Sequence, residues 1–530
     1  MTEAQSVLLA VAVGIFAVLL AALGRRLPIP IAILQVLGGL VLGLLPGAIA
    51  LRVSPDLVFF VFLPPVLWAA AFFTSFRDFK ANLRPIGLLA IGLVIATTVT
   101  VAVVARQLLP GIPWAAAVAL GAIVSPPDAV AAESILKRMP IPRRVISILL
   151  GESLVNDASA LILYRGAVAA LITGVYSPGE LVIRFFLNSF VGILIGLCVG
   201  WLIVWAARRT EDPLAETTLT LLGPYLAWIG AEYLQMSSVL ACVAGGLYLR
   251  QHYSTVVAPA SRIQARAVWD LFLFGLNSLV FLLLGVEFGR MIETLPSGTL
   301  LSAGAVGLLI AGLVILVRLI WVPLAAFLPR WIDPALRARD PVPRPAILFI
   351  VSWTSMRGMV SLAAALALPF VTAAGTPTPF RSEMVVITVM VIVVTLVLQG
   401  LSLTPIIRRL HFARDPAIDI EEGHARAEAR RAALDALADL VDEPWALPEA
   451  RASVEAEIRQ AHVHHSNASE EAVRRADAIR RIRLALVRAK RRALIRLRDE
   501  QAISDEVLLD LESELDYEAL RLGAGSERDR

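Results

Sequence analysis

Runs of about 20 apolar residues, the length that crosses a bilayer core as a helix, recur along the first 410 residues, separated by short segments of Pro, Gly and charge. Thirteen can be drawn, at about 6–24, 29–49, 56–73, 86–105, 114–135, 145–173, 181–207, 216–231, 236–249, 268–289, 299–328, 346–370 and 383–407. Between 216–231 and 236–249, Glu232 and Gln235 leave little room for a loop. Beyond residue 410 the pattern changes. Ala, Arg and Glu dominate, and apolar positions recur at helical spacing in AEARRAALDALADLV and from Ala468 to Leu497. Pro444 and Pro448 between these stretches end the first helix before the second begins. The pattern predicts an all-α polytopic membrane protein with about 13 transmembrane helices over residues 1–410 and a helical tail over 411–530.

Loop charge orients the spans. Alternating from an outside N-terminus places twenty basic residues on the inner side, among them Arg25, Arg26, Lys137, Arg138, Arg143, Arg144, Arg250, Arg262, Arg266 and Arg330. The outer side receives Arg52, Arg106, Arg290 and Arg381. Such a bias over short loops predicts an outside N-terminus and a cytoplasmic tail. The first run has its basic pair after the apolar stretch, the reverse of a secretory signal, so it reads as a retained span.

Composition sharpens this picture. Of 530 residues, 58% are hydrophobic and 17% charged, which excludes a water-soluble globular enzyme. Residues 1–410 carry net +10 and residues 411–530 net −6, so lipid and then water are the two solvents. The basic excess sits at span ends and the tail lacks interleaved aromatic and basic residues, so no nucleic-acid partner is expected. Cys198 and Cys242 lie in apolar runs and read as core residues. No phosphate-binding or dinucleotide glycine motif appears, so no nucleotide site and no cofactor are expected on this chain, which reads as no enzyme.

An ionisable residue at mid-membrane costs about 2.5–3.5 kcal/mol on insertion scales, so each one needs a partner, a wet cavity or a function. Asp128, Glu152, Asp157 and Arg357 qualify. In the sixth run a spacing of four puts Ser153 and Asp157 on one helix face, and Glu152 and Asn156 likewise. A hydroxyl and a carboxylate facing one cavity suit a small hydrated cation, and a bare carboxylate in lipid invites a proton to compete with it. Pro126 and Pro127 remove two consecutive backbone donors and predict a broken helix, with Asp128 at the start of its second half. Arg357-Gly358 marks a similar weak point, with Arg357 set either to offset negative half-helix ends or to pair with Glu152. Arg318 is expected to snorkel to the cytoplasmic interface, and Glu287 to sit at an outer span end. Arg165 and Glu133 suit bundle-interior pairs. His462, His464 and His465 read as a solvated helix face.

Four strings, LPPVLWAAAF (63–72), SPPDAVAAESI (125–135), GESLVNDASAL (151–161) and TSMRGMVSLAAALALP (354–369), together resemble the monovalent cation/proton antiporters of the sodium/proton exchanger branch, over most of residues 1–410. The resemblance implies thirteen spans in two inverted six-helix repeats, two broken crossing helices and a homodimer. It also implies that Asp157 binds cation and proton alternately, with Asn156 the neutral neighbour of electroneutral members, Ser153 a cation ligand and Asp128 the crossover acid. Glu152 and Arg357 would form a structural ion pair. Two positions depart from many relatives: Pro127 replaces Thr or Val, and Ala69 replaces an acid, which alters the electrostatics of the ion site. The expected activity is exchange of Na⁺, K⁺ or Li⁺ for H⁺ across a plasma membrane, with the tail regulatory. A cation channel and a cation-coupled symporter are the alternatives.

Overall fold

The computed structural model describes residues 3–24, 26–27, 29–44, 58–128, 136, 139–174, 178–210, 212–372, 375–412, 416–443, 446–460, 470–500, 511 and 514–519. Arg25, Arg52, Glu133, Lys137, Arg138, Pro444 and the three histidines at 462–465 lie outside the described residues, as does most of the acidic run 505–520. The chain forms two compact units, Met1–Arg414 and Asp415–Arg530.

The first unit is helical, with no strand among the described residues. Among the described residues, six helices are long and apolar enough to cross a membrane: Leu83–Leu108, Arg143–Thr173, Phe185–Ala207, Ser261–Thr294, Ser297–Ile332 and Arg381–Arg409. Shorter apolar helices include Ile31–Gly43, Phe60–Phe72 and Trp114–Val124. Local chemistry sets their ends. Arg143–Thr173 starts after Pro142 and stops at Gly174, whose φ of 73° closes the helix in the left-handed region. The apolar runs near 216–249 become Pro213–Tyr233 and Ser238–Val256. The tight turn between them is made by Gln235 at φ 56° and by Ser237, which caps the Leu240 amide.

In lipid, helices associate through close packing of small residues, because burial from water no longer drives them together. Ile31–Gly43 meets Pro259–Thr294 in this way: a Cβ on Gly39 would lie 2.0 Å from the Leu282 carbonyl, and one on Gly285 2.0 Å from that of Val36. Trp68, 1% exposed, fills the space left by Gly223 and Gly245.

One helix is interrupted and another gives out at its proline pair; the second half expected after Asp128 lies, apart from Leu136, outside the described residues. Trp114–Val124 gives way to a non-helical segment at 125–128, where Pro126 and Pro127 supply no backbone donor. Pro345–Trp353 gives way at 354–358 before Met359–Leu366 resumes. The two segments touch, the Asp128 amide donating to the Met356 carbonyl at 2.6 Å.

Asp340, in the loop between Ser297–Ile332 and Pro345–Trp353, accepts from Arg84 at 2.7 Å, Arg144 at 2.8 Å and Arg330 at 2.7 Å. Burial alone would raise its pKa. The Arg144 hydrogen bond and the three guanidinium charges outweigh that and hold it below the usual carboxylate range. A depressed folded pKa stabilises the protein above the unfolded value of about 3.9 and loses that contribution as pH falls through the folded value. Asp340→Asn should therefore lower the melting temperature by an amount equivalent to about 1–2 kcal/mol. The deficit should stay constant from about pH 5 to 8 and shrink below about pH 4. A deficit that grows on acidification would contradict this cluster.

The second unit contains Pro416–Asp439, Pro448–Gln460 and Glu470–Asp499. Pro448 opens its helix, as its missing N–H allows. Lys490 pairs with Glu518 at 3.0 Å and Arg491 with Asp516, so the basic helix and the described part of the acidic run meet.

Candidate functional site

Glu152, Ser153, Asn156 and Asp157 lie on one stretch of Arg143–Thr173 beside the region where the non-helical segments 125–128 and 354–358 touch. Glu152 is 1% exposed, Asn156 0% and Asp157 7%. A cavity of about 40 Å³ is lined by Ser153, Asp157, Asp128, Gly358 and Ser361, with Leu63, Val66 and Leu67 on its apolar side. That is room for a small ion with one or two waters. The cofacial pair Ser153 and Asp157 does share this cavity, and the chain break delivers Asp128 to it. Asp157 makes no hydrogen bond among the described residues, so its oxygens remain available to whatever enters.

Asn156 plays a different part. Its Nδ2 donates to the Pro127 carbonyl at 3.0 Å, across to the broken segment, while its Oδ1 is buried without a hydrogen-bond partner among the described residues. Gly358 is required by contact: a Cβ there would lie 1.8 Å from Asp128 Oδ2. No larger residue fits without displacing that carboxylate.

The expected pairing of Glu152 with Arg357 is corrected. Glu152 is held by Arg318, which donates Nη1 to Oε1 and, at 2.7 Å, Nη2 to Oε2. Arg318 does not snorkel: it is 0% exposed, and its Nε donates to the Val351 carbonyl at 3.1 Å. Arg357 instead donates Nε to the Val124 carbonyl at 3.1 Å, Nη2 to that of Ser125 at 3.3 Å, and Nη1 to Ser355 Oγ at 2.7 Å. The two arginines thus do parallel work. Val124 ends Trp114–Val124 and Val351 lies in the last turn of Pro345–Trp353, so each of these helices has a guanidinium on its negative, carbonyl-bearing end. Thr395 and Gln399 complete the support, Thr395 Oγ1 accepting from the Arg357 amide and Gln399 Nε2 donating to Ser355 Oγ.

Arg318, Ser361, Thr395 and Gln399 were not legible as site residues. Only Arg318 carried a usable signal. It lies ten residues before the end of the apolar run 299–328, about 15 Å at 1.5 Å per residue, near the middle of a bilayer core about 30 Å thick. The remaining charges are ordinary: Glu287 pairs with Arg290 at 2.5 Å, and Arg165 with Glu232 at 3.0 Å.

The family profile described as "Sodium/hydrogen exchanger, transmembrane" matches residues 14–409. The chain belongs to the sodium/hydrogen exchanger family. An uncharacterized Na⁺/H⁺ exchanger of Mycobacterium tuberculosis (strain ATCC 25618 / H37Rv) is 36% identical to it over 513 residues, covering 94% of this chain and 93% of the relative. A sodium, potassium, lithium and rubidium/H⁺ antiporter of Bacillus subtilis (strain 168) is 31% identical over 389 residues, covering 70% of this chain and 56% of the relative. The solved sodium proton antiporter MjNhaP1 of Methanocaldococcus jannaschii shares the fold at a TM-score of 0.60 and 18% identity, covering 78% of this chain and all of that one. This exchanger is accordingly a multi-pass membrane transporter rather than an enzyme.

Proposed function

We propose that the protein exchanges Na⁺, and also K⁺ or Li⁺, for H⁺ across a plasma membrane, by competition of cation and proton at Asp157. The observation that carries this reading is the cavity in which Asp157, Ser153 and Asp128 meet beside the non-helical segments 125–128 and 354–358. Carboxylate and hydroxyl oxygens are hard ligands suited to small cations. K⁺ and Li⁺ enter because they stand in the name of the Bacillus relative. Protonation expels the cation, and cation binding expels the proton. An empty carboxylate is too costly in lipid to cross, so the carrier moves only when occupied.

In this reading about 13 spans form two inverted six-helix repeats, the N-terminus lies outside, the tail is a cytoplasmic regulatory unit, and two copies form a homodimer. Arg318 occupies Glu152, Asn156 cannot ionise, and Asp128 is assigned to the crossover segment. Asp157 alone then exchanges its proton, one for each monovalent cation, and no net charge moves.

The test is cation-driven proton flux in proteoliposomes challenged in turn with Na⁺, K⁺ and Li⁺. In the Na⁺ arm, run without K⁺, the membrane potential is set by gradients of a permeant anion, thiocyanate, so that no second transported cation is present. Rates and end points are expected to be the same at every potential, whereas a second carried proton would add about 2.3 kcal/mol per 100 mV. A strong dependence on potential would overturn the one-to-one mechanism. Cation conductance without proton coupling would make the protein a channel.

A further inference from the structure

A second cavity, of about 250 Å³, lies among residues of Leu63–Phe72, Pro213–Tyr233, Ser238–Val256 and Pro259–Thr294. It shares no lining residue with the Asp157 cavity. The helix Leu63–Phe72 separates them, presenting Leu63, Val66 and Leu67 to the ion cavity and Trp68, Ala69 and Phe72 to this one. Its lining combines Arg250, Arg262 and Arg266 with the rings of Trp68, Phe72, Tyr253 and Trp269, and no carboxylate is among the described residues that line it. None of the three arginines is in an ion pair among the described residues. Arg262 is held in place by donating Nη1 to the Val257 carbonyl at 2.7 Å and to that of Ser254 at 3.3 Å. The Arg250 guanidinium lies 5.8 Å from the centre of the Phe72 ring. Glu216 is buried nearby, but it accepts from the Ala258 amide and does not line the cavity.

Three guanidiniums around one cavity repel Na⁺, K⁺ and Li⁺, so this is no route to Asp157. We propose that the cavity binds a phosphoryl-bearing anion. Guanidinium forks match the paired non-ester oxygens of such a group. The aromatic lining covers an adjoining apolar portion of the ligand or stacks on it. An anionic phospholipid headgroup and a free phosphate share this chemistry, and the experiment separates them.

The purified full-length chain is studied in two arms, as wild type and as Arg266→Gln and Arg250→Gln/Arg266→Gln. Arg250 and Arg266 are exposed and outside the ion site, so unliganded melting temperatures should match wild type. In the first arm, native mass spectrometry compares retention of phosphatidylglycerol with that of phosphatidylcholine. In the second, melting is followed with inorganic phosphate against chloride at equal ionic strength. Wild type is expected to retain phosphatidylglycerol at least tenfold more than phosphatidylcholine, or to melt higher in phosphate, with the double variant losing the effect and Arg266→Gln losing part. The first result assigns a lipid headgroup and the second a free phosphate. No preference in either arm, or one unchanged in the double variant, overturns the proposal. Neither readout depends on ion exchange, so the proposal stands or falls apart from the role of Asp157.

Discussion

Asp157→Asn is expected to leave a folded, membrane-inserted chain in which cation-driven proton movement falls to the level of empty vesicles. Asn matches Asp in shape, and Asp157 makes no hydrogen bond among the described residues, so the exchange breaks no protein contact. In the proposed mechanism it removes the group that carries the exchanged proton: an amide neither releases a proton when a cation arrives nor carries the charge that holds the cation. Proteoliposomes loaded with a pH-sensitive dye and challenged with Na⁺ provide the measurement, with the melting temperature as the control on folding. Appreciable exchange by this variant would sink the competition mechanism. Glu152 is not expected to substitute, since it is committed to Arg318.

The second large effect belongs to stability. Glu152 and Arg318 are 1% and 0% exposed, so deleting either strands its partner's charge away from water. Breaking a buried pair by removing one member typically costs about 3–5 kcal/mol, whereas replacing both is far milder. Glu152→Ala and Arg318→Ala should each lower the melting temperature in detergent severely, and the double variant should recover part of the loss. Arg318→Ala should remain the worse single change, because Val351 also loses its donor. Strictly additive losses would reject the pair. A parallel cycle of Glu152 with Arg357 should show weaker coupling, because Arg357 binds the Val124 and Ser125 carbonyls and Ser355 rather than the carboxylate. Coupling larger there than with Arg318 would contradict the geometry.

These two predictions draw on different kinds of information. Ser153 and Asp157 on one face, and the loss of helix at Pro126-Pro127, follow from rules that act within one turn of helix. Side chains four apart are neighbours in any α-helix, and proline lacks an N–H wherever it occurs. The apolar runs of residues 1–410 and the change of character at 411 are equally local, because hydropathy is summed along the chain. Even the cost of Asp128, Glu152, Asp157 and Arg357 was visible, since a charge within an apolar run is expensive whatever lies around it.

Partners were a different matter. Glu152 and Arg318 are 166 residues apart, and Arg357 reaches Val124 across 233, so no spacing rule connects them. Which arginine meets which acceptor depends on how Arg143–Thr173, Ser297–Ile332, Trp114–Val124 and Pro345–Trp353 pack, and small residues such as Gly39 and Gly285 show how closely such packing is set. The sequence by itself determined that lipid would not tolerate Asp128, Glu152, Asp157 and Arg357 alone and that helix would fail at Pro126-Pro127 and Arg357-Gly358, but it misplaced Arg318. Only the tertiary structure decided that Arg318 holds Glu152 and that Arg357 serves the end of Trp114–Val124. The reason is physical: the cost of burying a charge belongs to the residue, whereas its compensation belongs to the neighbour that packing supplies.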